Sequence, residues 1–411
     1  MPVKLEFARE LRCPACRRDH ALELQARESD AQEAREGALR CGACGAEFVV
    51  HRGVGELLHE PPAHILAEAA GLGRFAEQMR AEGWDREMVR KLPDVEHGYW
   101  YVQARSMNQL LTTIPFAPGQ SILDVGSNTC WAANRFAERG LQAIALDIAT
   151  AELQGLHTAE YFIEDGHVFF ERLLGSMDAI PLSSSSVDYV YCCEVLHHND
   201  LQSLRRTFQE IFRVLRPGGR LLMINETLKT LRDPDGVHVE GVEQYDGYEH
   251  AHWAWRYRWE ATRAGFLTDV TEPHYRPFFG DVGTDVTVNV SGALLGPLAR
   301  RAVRKARKVG VLRRAYLAWL NHAWGTVSMN MVATKPVRYV GTHEPIGPLR
   351  RLPRTLGAAV RLHHDRRTGQ AAGKVPRTPE QASEALLRAT SSQTSEPLQE
   401  SSDALAPEAS R

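Results

Sequence analysis

Cys13, Cys16, Cys41 and Cys44 form two Cys-x-x-Cys pairs with twenty-four residues between them. That spacing lets two tight knuckles offer four thiolates to one tetrahedral zinc ion. Pro14 in the first pair and Gly42 and Gly45 in the second are turn formers, placed where the chain must fold sharply around a metal. Four thiolates leave no coordination position open for substrate, so the role read here is structural, with a redox use of either pair as the minor alternative. Cys130, Cys192 and Cys193 lie in apolar surroundings, and Cys192 and Cys193 read as core residues of a buried strand rather than nucleophiles.

A second set of residues recurs at the ends of apolar runs. SILDVGSNTCWAANRF, from Ser121, reads as strand, turn and helix, the arrangement in which a nucleotide-type ligand meets a helix N-terminus. Asp124 and Gly126 stand at that turn with Ser127 and Asn128. Asp147 closes the next run, AIALDI, about 20 residues on, where a carboxylate can bind ribose hydroxyls. SMDAIPL places Asp178 where it can accept a hydrogen bond from an adenine amino group, with Met177 and Ile180 as apolar neighbours of the ring. VDYVYCCEVLHH is a buried strand ending in Glu194, His197 and His198, and RVLRPGGRLLMINE ends in Glu226.

These residues need a scaffold. Apolar runs alternate with helix-period segments from 99 to about 275, which predicts an α/β domain: a doubly wound, mostly parallel sheet with helices on both faces. Ligands of such sheets lie at the carboxyl ends of the strands. Arg216-Pro217-Gly218-Gly219 is expected to close a helix over 201–215 and turn into a strand at 220–226. The layout read from the chain is a self-contained zinc module at 1–58, a helical linker at 59–98 with a helix over about 63–80, and a main domain at 99–340. A basic helical insertion at 276–325, a basic extension at 341–374 and a disordered tail at 375–411 complete it. The tail is rich in Ser, Gln, Glu, Ala and Pro and too poor in large apolar residues to offset its ordering entropy.

The 411 residues carry 49 Lys and Arg against 51 Asp and Glu, so a strongly basic nucleic-acid-binding composition is excluded. No run of about 18 to 20 apolar residues is present, and the charged N-terminus lacks the core of a secretory signal. A cytoplasmic location follows as the expectation.

The ordered set from about 99 to 275, and again at 326–336, resembles the class I S-adenosylmethionine (SAM) dependent methyltransferases, in particular the type 11 group that includes ubiquinone-pathway enzymes. LRCPACRRDHALEL and GALRCGACGAEFVVHRGVGELL resemble the small zinc ribbons of the Trm112 type, which occur alone, as methyltransferase activators, or fused to a methyltransferase. The resemblance implies a seven-stranded Rossmann-like sheet and a SAM site. Asp124, Gly126, Ser127 and Asn128 would form its first turn, Asp147 and Ile148 would meet the ribose, and Met177 and Asp178 the adenine. Glu194 would lie on the same rim, and Arg105 would bind the SAM carboxylate. The family's turn usually carries three glycines; here Asn128 and Cys130 stand at the second and third positions, and Asn tolerates left-handed backbone angles.

The expected activity is methyl transfer to a small-molecule, sugar or lipid-linked acceptor, by O- or C-methylation. Alternatives are an rRNA or tRNA methyltransferase, and a non-catalytic SAM-binding or partner-activating protein. His198 is the preferred general base, with Glu194 and Glu226 as competitors and loop scaffolding as the alternative role. The aromatic stretch holding His250, His252, Trp253, Trp255, Tyr257 and Trp259 would either line an acceptor pocket or pack a helix on the sheet. Basic residues from Arg300 to Arg314, followed by Tyr316, Trp319 and Trp324, suggest a face at 300–324 for a membrane surface or anionic substrate, the alternative being a solvated helix face.

Overall fold

The computed structural model describes residues 7–95, 98–164, 168–229, 231, 249–268 and 329–337. The basic segment 276–325, the extension 341–374 and the tail 375–411 lie outside the described residues. The N-terminal strands are β1 (Leu22–Ser29), β2 (Ala34–Cys41), β3 (Glu47–His51) and β4 (Val54–Glu56). After them come α1 (Ala63–Ala81), α2 (Arg86–Arg90), α3 (Gly98–Thr113), β5 (Ser121–Val125), α4 (Trp131–Ala137), β6 (Gln142–Asp147), α5 (Glu160–Ile163) and β7 (Glu171–Leu174). Then follow β8 (Val187–Cys193), α6 (Leu201–Val214), β9 (Leu215–Glu226), α7 (Ala254–Ala264), β10 (Leu267–Thr268) and β11 (Met329–Thr334).

The strands make one sheet in the order β1-β2-β3-β4-β7-β6-β5-β8-β9-β11-β10. β7, β6, β5, β8 and β9 run parallel, and β11 inserts antiparallel between β9 and β10. This is a Rossmann-like doubly wound sheet. Side chains along each central strand alternate between two apolar layers, as the two-residue period of a strand requires. Leu123, Val125, Val190, Cys192, Leu221 and Met223 pack with Leu204, Phe208 and Ile211 of α6 and with Tyr257 of α7. Ile122, Tyr189, Tyr191, Leu222 and Ile224 pack on the other face with Met79 of α1, Leu110 of α3 and Phe136 of α4. Burial on both faces is why these runs read as continuous hydrophobic segments.

Two expectations need correction. Among the described residues the sheet has eleven strands in place of seven: four are added to the seven from β7 to β10 because β4 pairs parallel with β7, Gly55 opposite Leu173, and the hairpins β1 to β4 continue outward from there. The parallel edge that β7 would otherwise expose is thereby covered. For the same reason the N-terminal module is not self-contained. Leu11, Leu22, Leu39 and Leu57 belong to the same apolar layer as α6. Ser183 also ties the two parts, its N–H donating to the Glu10 carbonyl at 2.7 Å and its hydroxyl to the Leu11 carbonyl at 3.1 Å. A third difference is local: the Arg216–Gly219 stretch lies inside β9 as an irregularity, with Gly218 at φ 86°, instead of forming a turn before the strand.

The junction also buries charge. Arg172 on β7 is fully buried and pairs with Glu33, 1 % exposed, from the loop between β1 and β2. Gly53, at φ 72°, leaves room for the pair, since a Cβ there would lie 2.3 Å from the guanidinium. Removing one member of a buried pair strands the other charge, which costs more than the pair contributes. Glu33 also pairs with Arg35 at 2.9 Å, so it is Arg172 that would be stranded: Glu33→Gln should lower unfolding free energy by about 3 kcal/mol in urea denaturation, with Arg172→Met/Glu33→Gln recovering most of the loss. Equal destabilisation in the single and double variants would contradict this account.

Candidate functional site

The turn after β5 is built by close approach. Gly126 has φ 69°, and a Cβ on it would lie 2.3 Å from Cγ2 of Val195, which crosses over it from the loop after β8. Asn128 and Cys130 stand where glycines were expected, and both adopt left-handed angles, φ 46° and 59°. The Asn128 side chain stabilises its conformation by donating to Gln154 Oε1 at 2.8 Å.

Asp147, at the tip of β6, ties the turn to the sheet. Its carboxylate accepts the Asn128 N–H at 2.8 Å and the Ala149 N–H at 3.0 Å. Asp124 accepts the Ser127 hydroxyl at 2.6 Å. Neither acid forms an ion pair among the described residues, and both are buried at 2 % and 6 % exposure. Burial raises Asp124 to about 7 and Asp147 to about 6, against the hydrogen bonds they accept.

A cleft opens above these tips. Its walls include Asp124, Gly126, Ser127, Asn128, Asp147, Ile148, Met177, Asp178, Glu194 and His198, so most of the residues singled out in the sequence converge there. Asp178 is held by Ser176 Oγ at 2.7 Å and the Arg206 guanidinium at 2.8 Å. Arg105, half-buried on α3, is not among the lining residues. Glu226 is not either. It lies fully buried beneath the turn Leu196–His198, accepting the N–H groups of Leu196 at 3.1 Å and His197 at 2.8 Å and pairing with His197 Nδ1 at 2.9 Å. Burial opposes its charge, but His197 and these N–H groups outweigh that and hold Glu226 below its ordinary value. Glu226 thus anchors the histidine turn and does not face the cleft.

The predicted linker forms a wall. Pro62, His64, Ile65, Glu68 and Leu72 from the start of α1 line the cleft, and Glu68 Oε1 lies 2.6 Å from His198 Nδ1. Burial works against a charged His198, yet the Glu68 carboxylate prevails and raises it. The available signal was His64, Glu68 and Leu72 at i, i+4 and i+8, a single helix face carrying two ionisable groups.

The aromatic stretch divides. Tyr257 is buried and donates to the Thr227 carbonyl at 3.1 Å, whereas Trp255 and Trp259 are exposed on α7; none lines the cleft. Cys192 is fully buried, as expected for a core residue, whereas Cys193 is half-buried and lines the cleft.

The four N-terminal cysteines come together without disulfides. Cys13 and Cys44 sulfurs lie 3.8 Å apart and Cys16 and Cys41 sulfurs 3.7 Å apart. A tetrahedron with zinc–sulfur bonds of about 2.3 Å separates its sulfurs by about 3.8 Å, so the donor set fits zinc.

Residues 123–223 match the family model described as a methyltransferase domain. An uncharacterised methyltransferase of Mycobacterium tuberculosis is 35% identical over 111 residues, 27% of this chain and 42% of that protein. The malonyl-[acyl-carrier protein] O-methyltransferase of Serratia marcescens is 27% identical over 133 residues, 32% of this chain and 47% of that one. The chain thus spans less than half the length of either relative. Among solved structures, the complex of the Haloferax volcanii Trm112 methyltransferase activator with a methyltransferase partner aligns over 66% of this chain and 97% of that one, at 15% identity and TM-score 0.38. The chain therefore carries a methyltransferase-type segment on a Rossmann-like sheet.

The raised acids have a measurable consequence. Between pH 4 and about 7 the unfolded chain has ionised Asp124 while the folded chain keeps its proton, so the folded state binds more protons. Stability therefore falls as pH rises through that window and levels off above it. Asp124→Asn should flatten this dependence in denaturation curves taken at pH 5 and pH 8; an unchanged slope would refute the assignment.

Proposed function

We propose that the protein is a class I SAM-dependent methyltransferase acting on a small-molecule, sugar or lipid-linked acceptor, with a structural zinc ribbon built into its sheet. The observation that carries this reading is the pair of buried, cation-free carboxylates at neighbouring strand tips, Asp124 and Asp147, facing one cleft. Ribose hydroxyls would add donors to the backbone and hydroxyl groups these carboxylates already accept from, and a positively charged ligand would favour their ionised forms. The likeness of residues 123–223 to a methyltransferase domain supports the same conclusion.

SAM, when bound, supplies a methyl group on a sulfonium; the carbon–sulfur pair stays on sulfur as an acceptor lone pair forms the new bond. The protein's part is to align donor and acceptor, which can account for about 7 to 11 kcal/mol of barrier in favourable cases. In this reading Asp147 and Ile148 hold the ribose. Met177 and Asp178 border the adenine, and Gly126 lets the turn pass close beneath the donor. Glu194 and His198 face the acceptor at the end of β8, and Glu226 acts through His197 by fixing the turn that carries His198. No helix among the described residues is long and apolar enough to cross a membrane. Contact with an anionic acceptor or a membrane surface is assigned to the basic stretch 300–324, on its sequence alone.

The ribbon is proposed to act within this chain rather than as an activator of another, because its strands already cover the edge of the chain's own sheet. Purified protein should carry one zinc per chain by elemental analysis. Chelation should lower the melting temperature of the whole unit in one transition, because ribbon and sheet share a core; a protein free of zinc, or one indifferent to chelation, would defeat the assignment.

Calorimetry with S-adenosylhomocysteine should show binding that Asp147→Ala weakens at least tenfold, about 1.4 kcal/mol. Labelled SAM incubated with the protein and a cell extract should label an acceptor. Absence of binding overturns the methyltransferase reading, and binding without any transfer favours a non-catalytic SAM-binding protein.

A further inference from the structure

His197 and His198 follow each other in the turn after β8, with ring centroids 4.5 Å apart. Each has its Nδ1 turned to a carboxylate: His197 to Glu226 at 2.9 Å and His198 to Glu68 at 2.6 Å. A carboxylate on one ring nitrogen fixes the tautomer and leaves the other nitrogen with an available lone pair, as in the outer shells of metal sites. The third member is Glu249. Its Oε1 lies 3.9 Å from His197 Nε2, and its side chain is only 7 % exposed. One ligand atom from each of His197, His198 and Glu249 lies within 4.8 Å of the other two. Two ligands bound at about 2.1 Å to one cation sit roughly 3 to 4 Å apart, so a small contraction would bring this set into coordination.

The electrostatics also call for a cation. Glu68, Glu226 and Glu249 side chains are 11 %, 0 % and 7 % exposed, and no lysine or arginine pairs with any of them among the described residues. Three carboxylates around two imidazoles leave excess negative charge away from water, which is costly unless compensated. The arrangement is held in place: the His250 N–H donates to the His197 carbonyl at 2.5 Å, and the Lys229 N–H to the His252 carbonyl at 3.0 Å, docking the 249–252 segment beside the turn.

We propose that His197, His198 and Glu249 form a binding site for a divalent first-row transition-metal cation, opening through His198 onto the cleft. Two histidines and one carboxylate leave coordination positions for other ligands. Its use rests on the methyltransferase reading: the cation would bind and orient an oxygen acceptor and ease transfer of a hydroxyl proton to Glu194, which faces the same cleft, or to water. His198 then meets the acceptor through the cation instead of taking its proton directly. The substrate class this favours is one that presents a hydroxyl or carboxylate oxygen rather than carbon.

The test uses Mn2+ as the probe, because the soft thiolates of the ribbon are poor ligands for it. Full-length, zinc-loaded protein is titrated with Mn2+ by electron paramagnetic resonance, and S-adenosylhomocysteine affinity is measured in parallel. One Mn2+ per chain is expected. Glu249→Gln should abolish saturable Mn2+ binding while leaving S-adenosylhomocysteine affinity unchanged and without lowering the melting temperature, and Glu226→Gln should weaken Mn2+ about 10- to 100-fold. No saturable Mn2+ binding in the parent protein, or the same binding in Glu249→Gln, overturns the site. S-adenosylhomocysteine binding without Mn2+ binding would sink this inference alone. Mn2+ binding without S-adenosylhomocysteine binding would keep the cation site and sink the methyltransferase reading.

Discussion

The hydrogen bonds from the Asn128 and Ala149 amides to the Asp147 carboxylate organise the site. They join the tip of β6 to the turn after β5 and set the floor of the cleft. Because Val195 presses on Gly126 from the loop after β8, three strand ends are pinned within a few ångströms of one another. A carboxylate is suited to this task because it accepts several N–H donors at once and can still face a ligand. Its burial has a cost, visible in the raised values of both Asp124 and Asp147, that a bound hydroxyl-rich or cationic ligand would offset.

The histidine turn is held by the same device on the opposite side of the rim. Glu226, at the end of β9, accepts the backbone N–H groups of Val195, Leu196 and His197 and pairs with the His197 imidazole, so the turn is fixed from below by a charge that never reaches the cleft. Glu68 approaches from α1 and meets His198 from the other side. The segment between ribbon and sheet is therefore part of the site and more than a tether.

The ribbon's place follows from sheet physics. A parallel edge strand such as β7 exposes unpaired backbone groups, and β4 satisfies them on its way out of the cysteine module. The Arg172–Glu33 pair and the common apolar layer then pack the two parts against each other. The cysteine cluster is in this way mechanically continuous with the sheet that bears the cleft.

What the chain's order of residues determined was everything that depends on local period and local chemistry. The strands around Asp124, Asp147, Cys192 and Met223 were legible because burial on both faces makes their apolar runs unbroken. The four cysteines were legible because a tetrahedral donor set demands paired knuckles. The left-handed Asn128 followed from the tolerance of its side chain. Tertiary structure alone decided which acids face the cleft and which prop it up. Glu194 and Glu226 end similar strands, yet the first lines the rim and the second is buried under it. Glu68 and Glu249 reach the histidines from segments about 130 residues before and 50 after them in the chain, and side-chain proximity across such distances leaves no periodic trace in sequence. The extension of the sheet from seven strands to eleven was hidden likewise, because pairing between β4 and β7 is a matter of backbone groups that every residue carries.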